Sequence, residues 1–397
     1  MALPLGPVRA RIVRTVAVVV ALLCGAVLAA SAPAGLADDV SGLSDPAAAG
    51  ASAVRLTLPE RRLTMAFTGD ILPHSPLVRR ALDNGGGQTY DFSPMFAAVA
   101  PVLSAYDLAI CHLETPVAPP GEPLSVYPLY GVPASITTAI AAAGYDRCST
   151  ASNHTIDRGV RGVDATVDAL EAAGVAQSGM ARSPQEAVAE VFEVNGIRLA
   201  HLSYTYGLNG LRLPRGQQWR TALIDPVRIV ADAVDARSRG AQLVIVSMHW
   251  GNEGTSRLST QQRSVADAVT ASGAVDLIVG HHAHVVQPIE MVNGRWVVYG
   301  LGNFLSNMPT GNFRMAQSQD GAIAVATVLE WPDGRLTVDT PRILPTWVDR
   351  GSGWVIRSVL HELDAPATDP ALRQLLVGSW WRTAVVLGPH IGGVSDR

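Results

Sequence analysis

From Leu63 to Val338 the chain alternates short apolar runs with stretches whose apolar residues recur at helical spacing. Leu63 to Thr68 reads as a buried strand that runs into the loop Gly69-Asp70. Pro94 to Ala105 places Phe96, Val99, Val102 and Leu103 on one helical face and predicts a helix. Leu108 to His112 predicts a second strand. Ser135 to Ala143 predicts a helix stopped by Gly144, and Tyr145 to Ala151 a third strand. Val163 to Ala173 predicts another helix, ended by Gly174 where a left-handed cap is expected.

The second half keeps this grammar and adds hairpins. Val191 to Val194 and Ile197 to Tyr204 flank Asn195-Gly196, a strong hairpin signal. Pro226 to Ser238 is amphipathic with an early proline, as helix starts tolerate, and Leu243 to Met248 follows as a strand. Ser259-Thr260-Gln261-Gln262 resembles a capping box opening a helix that ends near Ser272. Asn293-Gly294 precedes a strand from Trp296 to Tyr299, and Pro332-Asp333-Gly334 joins Ala322–Leu329 to Arg335–Val338. Early βα units followed by late hairpins predict an α/β (α+β) fold: a mixed sheet, or two sheets packed face to face, covered by helices. Pro370 to Trp381 predicts a last helix within a tail that carries Trp354, Trp380 and Trp381.

The N-terminal end has a different pattern. Arg9, Arg11 and Arg14 precede an uncharged stretch from Thr15 to Leu36. A basic start, an apolar core and small residues near Ala30–Ala32 or Gly35–Ala37 predict a secretory signal over residues 1–37. Its most apolar part is short for a spanning helix, which needs about 20 residues; an uncleaved anchor is the alternative. Either way an extracytoplasmic location, secreted or anchored, is expected. Residues 38–60, rich in Ala, Ser, Gly and Pro, read as a flexible linker. A main domain is then expected over 61–349 and a C-terminal extension over 350–397.

Composition narrows the function classes. Charged residues make up 16% and apolar residues 48% of the 397, which suits a large buried core. The net charge of −4, with no block of Lys and Arg, argues against nucleic acid as a partner. Beyond Cys24 only Cys111 and Cys148 remain, each near the end of a predicted strand. In an oxidising compartment they can pair; as buried thiols on neighbouring strands they would stay free.

Ligand-type side chains gather where the apolar runs end. The run from Val275 to Val279 passes directly into Gly280-His281-His282-Ala283-His284. Neutral imidazole is the commonest metal-binding side chain, and strand ends are where α/β proteins build sites. Asp70, Glu114, Asn153-His154 and His249 end four other runs, and His74 lies close to the first. Each has an ordinary reading alone: Asp70 in a turn, His74 solvated, Glu114 in a loop, Asn153 in an Asx turn, His249 a hydrogen-bonded core ring. His282 and His284, two residues apart just past a strand, are expected to converge on one point. Together these residues suit two divalent cations sharing a carboxylate. The absence of thiolates argues against a structural zinc site, and the mixed N and O donors fit Mn, Fe or Zn without choosing among them.

The order of the motifs carries a resemblance. Phe67-Thr68-Gly69-Asp70, His112-Leu113-Glu114-Thr115-Pro116, Ser152-Asn153-His154-Thr155-Ile156-Asp157, Met248-His249-Trp250-Gly251, Gly280–Pro288 and Tyr299-Gly300-Leu301-Gly302-Asn303-Phe304 together resemble the CapA family of bacterial poly-γ-glutamate capsule synthesis proteins. That family is similar to calcineurin-like metallophosphoesterases. The resemblance covers about residues 62–310, and Pro345-Thr346-Trp347-Val348 is similar to the family's closing segment. It implies an αββα phosphoesterase-like sandwich with a two-metal site. By that implication Asp70 and His284 hold the first ion, Glu114 bridges, and Asn153, His249 and His282 hold the second. His154 faces the scissile group, with Asp157 as its orienting partner. Two positions depart from the pattern. Leu72 stands where phosphoesterases carry a ligand histidine, a place His74 would have to fill, and His112 stands where the family usually has Asn.

The expected function is that of an exported metal-dependent hydrolase acting on an anionic polymer or phosphoester, in the making or release of a capsule-like polymer. The rival expectations are a non-catalytic accessory subunit of a membrane polymer synthase and a generic extracytoplasmic phosphodiesterase.

Overall fold

The computed structural model describes residues 58–308 and 316–391; the expected export segment and almost all of the expected linker lie outside them. Along the chain the first half comprises β1 (Arg61–Leu72), α1 (Ser75–Asn84), α2 (Ser93–Phe96), α3 (Ala100–Leu103), β2 (Leu108–Leu113), α4 (Ser135–Ala142), β3 (Arg147–Ser149), α5 (Gly159–Ala172) and β4 (Ala176–Ser178). Then follow β5 (Val191–Val194), β6 (Ile197–Thr205), α6 (Pro226–Ser238), β7 (Leu243–His249), α7 (Thr260–Ala271), β8 (Leu277–His281), β9 (Ile289–Val292) and β10 (Arg295–Val298). The chain closes with β11 (Asn303–Ser306), β12 (Asp320–Glu330), β13 (Leu336–Val338), β14 (Arg342–Asp349), β15 (Val355–Ser358), α8 (Val359–Asp364) and α9 (Pro370–Leu387).

These strands form two mixed sheets. The first runs β15-β14-β12-β1-β2-β3-β4, with β11 and β13 attached to β1 and β12. Its β1 to β4 are parallel neighbours, while β12, β14 and β15 pair antiparallel. The second runs β5-β6-β7-β8-β10-β9. Alternation along each strand assigns its two faces. Leu63, Met65, Phe67, Leu108 and Ile110 of the first sheet pack against Leu199, Leu243, Ile245, Leu277 and Val279 of the second. The intervening residues point outward. Ala66, Ala109 and Cys111 meet Leu77, Phe96 and Ile140 of α1, α2 and α4. Val244, Val246 and Ile278 meet Ile229, Ala233 and Val269 of α6 and α7. The architecture is therefore the expected four-layer αββα sandwich. Among the described residues no helix is long and apolar enough to cross a membrane.

The single helix expected over Pro94 to Ala105 is two short ones, α2 and α3. Pro101 lacks the amide that a continuous helix needs there, so the chain restarts with that proline in its first turn. Cys111 and Cys148, register partners on β2 and β3, form a disulfide on the helix-facing side of the sheet. Residues 350–391 pack on the main domain: β15 extends the first sheet, and Leu387 of α9 enters the core between the sheets.

Candidate metal centre

The space between the sheets is apolar at one end and polar at the other. Continuing the inward parity of Leu108 and Ile110 brings His112 inside. Leu243 and Ile245 lead in the same way to Ser247 and His249, and Leu277 and Val279 to His281. Asp70 arrives differently. Alternation from Phe67 would turn it toward the helices, but the β1 register against β2 shifts between Phe67 and Asp70. Such an irregularity re-aims a side chain, and here it brings the carboxylate inside. Gly280 allows the close approach that β8 needs, since a Cβ there would lie 1.9 Å from the Tyr299 carbonyl oxygen.

His282 and His284 converge, though not by strand alternation. Their φ angles are +85° and +56°, a left-handed conformation that costs non-glycine residues about 1–3 kcal/mol and tends to occur at functional sites. The strained turn brings both imidazoles to Glu114, and the three form one potential cation-holding group; Asp70, His112 and His281 form another. Asp70 Oδ1 lies 3.3 Å from His281 Nδ1, and Asp70 Oδ2 lies 3.2 Å from His284 Nδ1. Glu114 Oε1 lies 3.8 Å from His249 Nε2 and 3.7 Å from His284 Nε2. Asn153 Oδ1 meets His249 Nε2 at 2.9 Å, and Asn153 Nδ2 donates to Asn209 Oδ1 at 3.3 Å.

Burial drives the electrostatics. Burial pushes the Asp70 carboxyl up, but the adjacent His281 and His284 imidazoles outweigh it and hold the group well below the usual carboxylate range. Burial pushes Glu114 well up. It pushes His282 down to about 3. Burial would lower His284 as well, but Glu114 and Asp70 push that ring up to about 10. Both oxygens of Glu114, one of Asp70, and Nδ1 of His281 and His282 are buried without a hydrogen-bond partner. A folded protein rarely leaves such atoms uncompensated. Two carboxylates facing several imidazoles with free donor atoms fit divalent cations.

The expected residues are not all gathered. Asp70, Glu114, Asn153, His249, His282 and His284 share the centre. His74 lies outside both groups: it sits at the start of α1 with Nδ1 2.9 Å from the Leu72 carbonyl oxygen, and burial lowers its pKa to about 4. Leu72 packs with Tyr130 and Met308. His154 stands beside the centre, its Nδ1 2.6 Å from Asp157 Oδ2 and its ring edge-on to Tyr130 at 4.7 Å. Asp157 also accepts the Tyr130 amide at 2.8 Å. His282 and His284, expected on different ions, both approach Glu114, the carboxylate expected to bridge those ions.

Four contributors were assigned to neither ion from the sequence. His281 stood among the ligand-type side chains there, and strand parity selects it together with His112, whose ring stacks on it at 4.0 Å. Asn303 aligns with Asp70 in the β1–β11 register and its Oδ1 faces His284 Nδ1 at 3.0 Å. Tyr206 covers His282 at 4.5 Å between ring centres; it lies beyond the end of β6, in a loop with no local signal.

Such a fold and centre define an αββα protein whose strand-end residues are consistent with a metal site. The chain belongs to the family described as bacterial capsule synthesis protein PGA_cap, whose model matches residues 64–308. It is 28% identical over 252 residues to the capsule biosynthesis protein CapA of Bacillus anthracis, covering 62% of this chain and 60% of that protein. It is 27% identical over 251 residues to the PGA biosynthesis protein CapA of Bacillus subtilis, covering 61% and 63%. The matches thus span less than two thirds of those relatives' length. Among solved structures, a calcineurin-like phosphoesterase of Bacillus subtilis aligns with a TM-score of 0.41 and 12% identity, covering 81% of this chain and 97% of that one.

Proposed function

We propose that the chain is a metal-dependent hydrolase acting outside the cytoplasm on a γ-linked glutamate polymer, or a similar anionic chain, during its assembly or release. The observation that carries this reading is Glu114: a fully buried carboxylate with neither oxygen hydrogen-bonded, facing the imidazoles of His249 and His284. A carboxylate so placed is costly unless a cation or a proton offsets its charge. Asp70, Glu114, Asn153, His249, His282 and His284 would hold two divalent ions, Mn, Fe or Zn, with His112 and His281 close enough to Asp70 to contribute. Bound ions would supply Lewis acidity and an activated water.

The chain's own residues do the rest. Asp157 Oδ2 accepts a hydrogen bond from His154 Nδ1–H, which fixes the tautomer and leaves Nε2 for the substrate. With Asp157 behind it, His154 can carry a second proton and deliver it to the leaving oxygen or nitrogen. Tyr130 limits the ring's rotation. The basic and apolar N-terminal pattern supports export, as does the Cys111–Cys148 disulfide, a bond that persists in oxidising compartments. A second reading, an accessory subunit of a membrane polymer synthase, draws on Leu72 and on the place of His74 outside the centre.

His154→Ala separates the two. The variant keeps every cation-holding residue, so its metal content should match the wild type. Its turnover of γ-linked polyglutamate, or of bis(p-nitrophenyl) phosphate as a model phosphodiester, should fall about 10²–10⁴-fold. No turnover of either by metal-loaded wild type, or equal turnover by a folded and metallated variant, would leave the accessory reading in its place.

A further inference from the structure

Three segments that reach the cation centre also build a groove beside it. Between β6 and α6 the chain passes Tyr206, which covers His282, and Asn209, hydrogen-bonded to Asn153. It then reaches Leu211, Arg212 and Pro214. Leu129 precedes Tyr130, whose ring meets His154, and Ile156 and Asp157 follow closely after His154. Leu129, Ile156, Val160, Leu211, Arg212 and Pro214 line a cavity of about 310 Å³ that Asp157 also borders. That volume lies at the small end of small-molecule sites.

Local packing leaves the wall of this groove open. Leu208 is buried with Ile156, Val163 and Met180, and Leu213 packs against the same cluster. Between these anchors Asn209 and Gly210, with φ of +50° and +80°, turn the chain, and the Leu211 amide donates to the Leu208 carbonyl oxygen at 2.8 Å. Leu211 is left 38% exposed, and Leu129 opposite it in the lining 45%.

Charge singles out Arg212. The nearby Arg158 and Arg161 are both tied to Glu122, and Arg220 to Asp164. Arg212 is exposed and, among the described residues, has no hydrogen-bond or ion-pair partner. Asp157 is the one acid in the lining, and its carboxylate is turned out of solvent toward His154 and the Tyr130 amide. The groove therefore offers apolar wall and a single uncommitted cation. A flat guanidinium matches a carboxylate, and apolar wall matches methylenes. A γ-linked glutamate unit carries both, a short run of methylenes and one free carboxylate.

We infer that this groove is a subsite of the centre and seats a γ-linked glutamate unit next to the one facing His154. Its free carboxylate lies on Arg212 and its methylenes lie against Leu129, Leu211 and Pro214. The occupant rests on the polymer proposed above, but its binding does not require that the centre cleave it.

The test reads binding, in metal-loaded His154→Ala protein so that no chain is consumed. By anisotropy of a fluorescein-labelled γ-linked glutamate oligomer, adding Arg212→Gln should weaken binding about fivefold. Adding Leu211→Asp instead should weaken it as well. The matching γ-linked glutamine oligomer, which lacks the carboxylates, should bind equally with and without Arg212. The subsite is overturned by no binding to the parent protein, by equal affinity for the glutamate oligomer in folded Arg212→Gln, or by an unaffected Leu211→Asp. The same loss with the glutamine oligomer overturns it too, as does a larger Arg212 dependence for a poly(glycerol phosphate) chain. Failure of the hydrolase reading has a different signature: wild type turns over no γ-linked polyglutamate while the Arg212 dependence of binding persists, which upholds the subsite.

Discussion

His284 stands between two buried carboxylates, Asp70 and Glu114. Asn303 Nδ2 donates to the His284 and Ser318 carbonyl oxygens at 3.3 and 2.9 Å, so its Oδ1 is turned to His284 Nδ1, which must carry hydrogen. The opposite nitrogen faces Glu114. Burial disfavours a charged ring, yet Glu114 and Asp70 raise its pKa from 6.5 to about 10. A group raised on folding contributes stability that is fully present below its unfolded pKa and fades as pH rises through its folded one. For His284 that window opens near 6.5 and closes near 10. The buried Glu114 carboxyl, pushed up by burial, acts with the same sign. Chelator-treated wild type should therefore unfold at lower urea at about pH 9.5 than at about pH 6.5. His284→Gln should show a shallower slope, and added Mn²⁺ or Zn²⁺ should flatten that of the wild type. Parallel slopes for chelated wild type and His284→Gln would assign the pH dependence to other groups.

Among the elements, α7 shows how a local signal becomes structure. Ser259 Oγ accepts the Gln262 amide at 3.1 Å, and Gln262 Oε1 accepts the Ser259 amide at 2.9 Å, so two otherwise unpaired donors are satisfied reciprocally. Ser259→Ala should cost about 1 kcal/mol, read as a lower urea midpoint with unchanged slope. Gln262→Ala should cost more, because Gln262 Nε2 also donates to the buried Gln287 at 2.7 Å. Elements with such local signals were legible: α6, α7, the Asn195-Gly196 and Asn293-Gly294 hairpins and the strands leading to Glu114, His249 and His281. Strands specified by distant partners were not. β14 holds Pro345 beside Ala322 of β12, a residue that argues against a strand when read alone, and β4 and β11 are too short to show a period. The site divides the same way. The strand ends announced which residues would gather, but the register shift at Asp70, the left-handed turn at His282 and His284 and the backbone hold on His74 arise only in the folded chain.

At the scale of the molecule, the C-terminal segment acts as a clasp on the first sheet. Trp347 of β14 packs with Val359 and Leu376 of α8 and α9, and Arg382 of α9 reaches Asp320 at the start of β12 with two contacts, 2.6 and 2.8 Å. Asp320 is 1% exposed. Burial pushes its carboxyl up even with Arg382 beside it, so without the guanidinium it would be a buried charge lacking a counterion. Removing one partner of a buried pair typically costs 3–5 kcal/mol; Arg382 keeps 28% of its side chain in solvent, which places Arg382→Met near about 3 kcal/mol. The loss should depend on pH. Freed of its cation, Asp320 can escape the penalty by taking up a proton, so the variant should be hurt least in acid and most above neutrality. Asp320 also joins α9 to the strand beside β1, which carries Asp70. Opening the clasp should therefore weaken cation retention at the centre as well as lower the unfolding midpoint. Urea titration and metal analysis of Arg382→Met at about pH 5 and about pH 8 measure both. A destabilisation equal at the two pH values would mean that α9 is held by its apolar contacts alone.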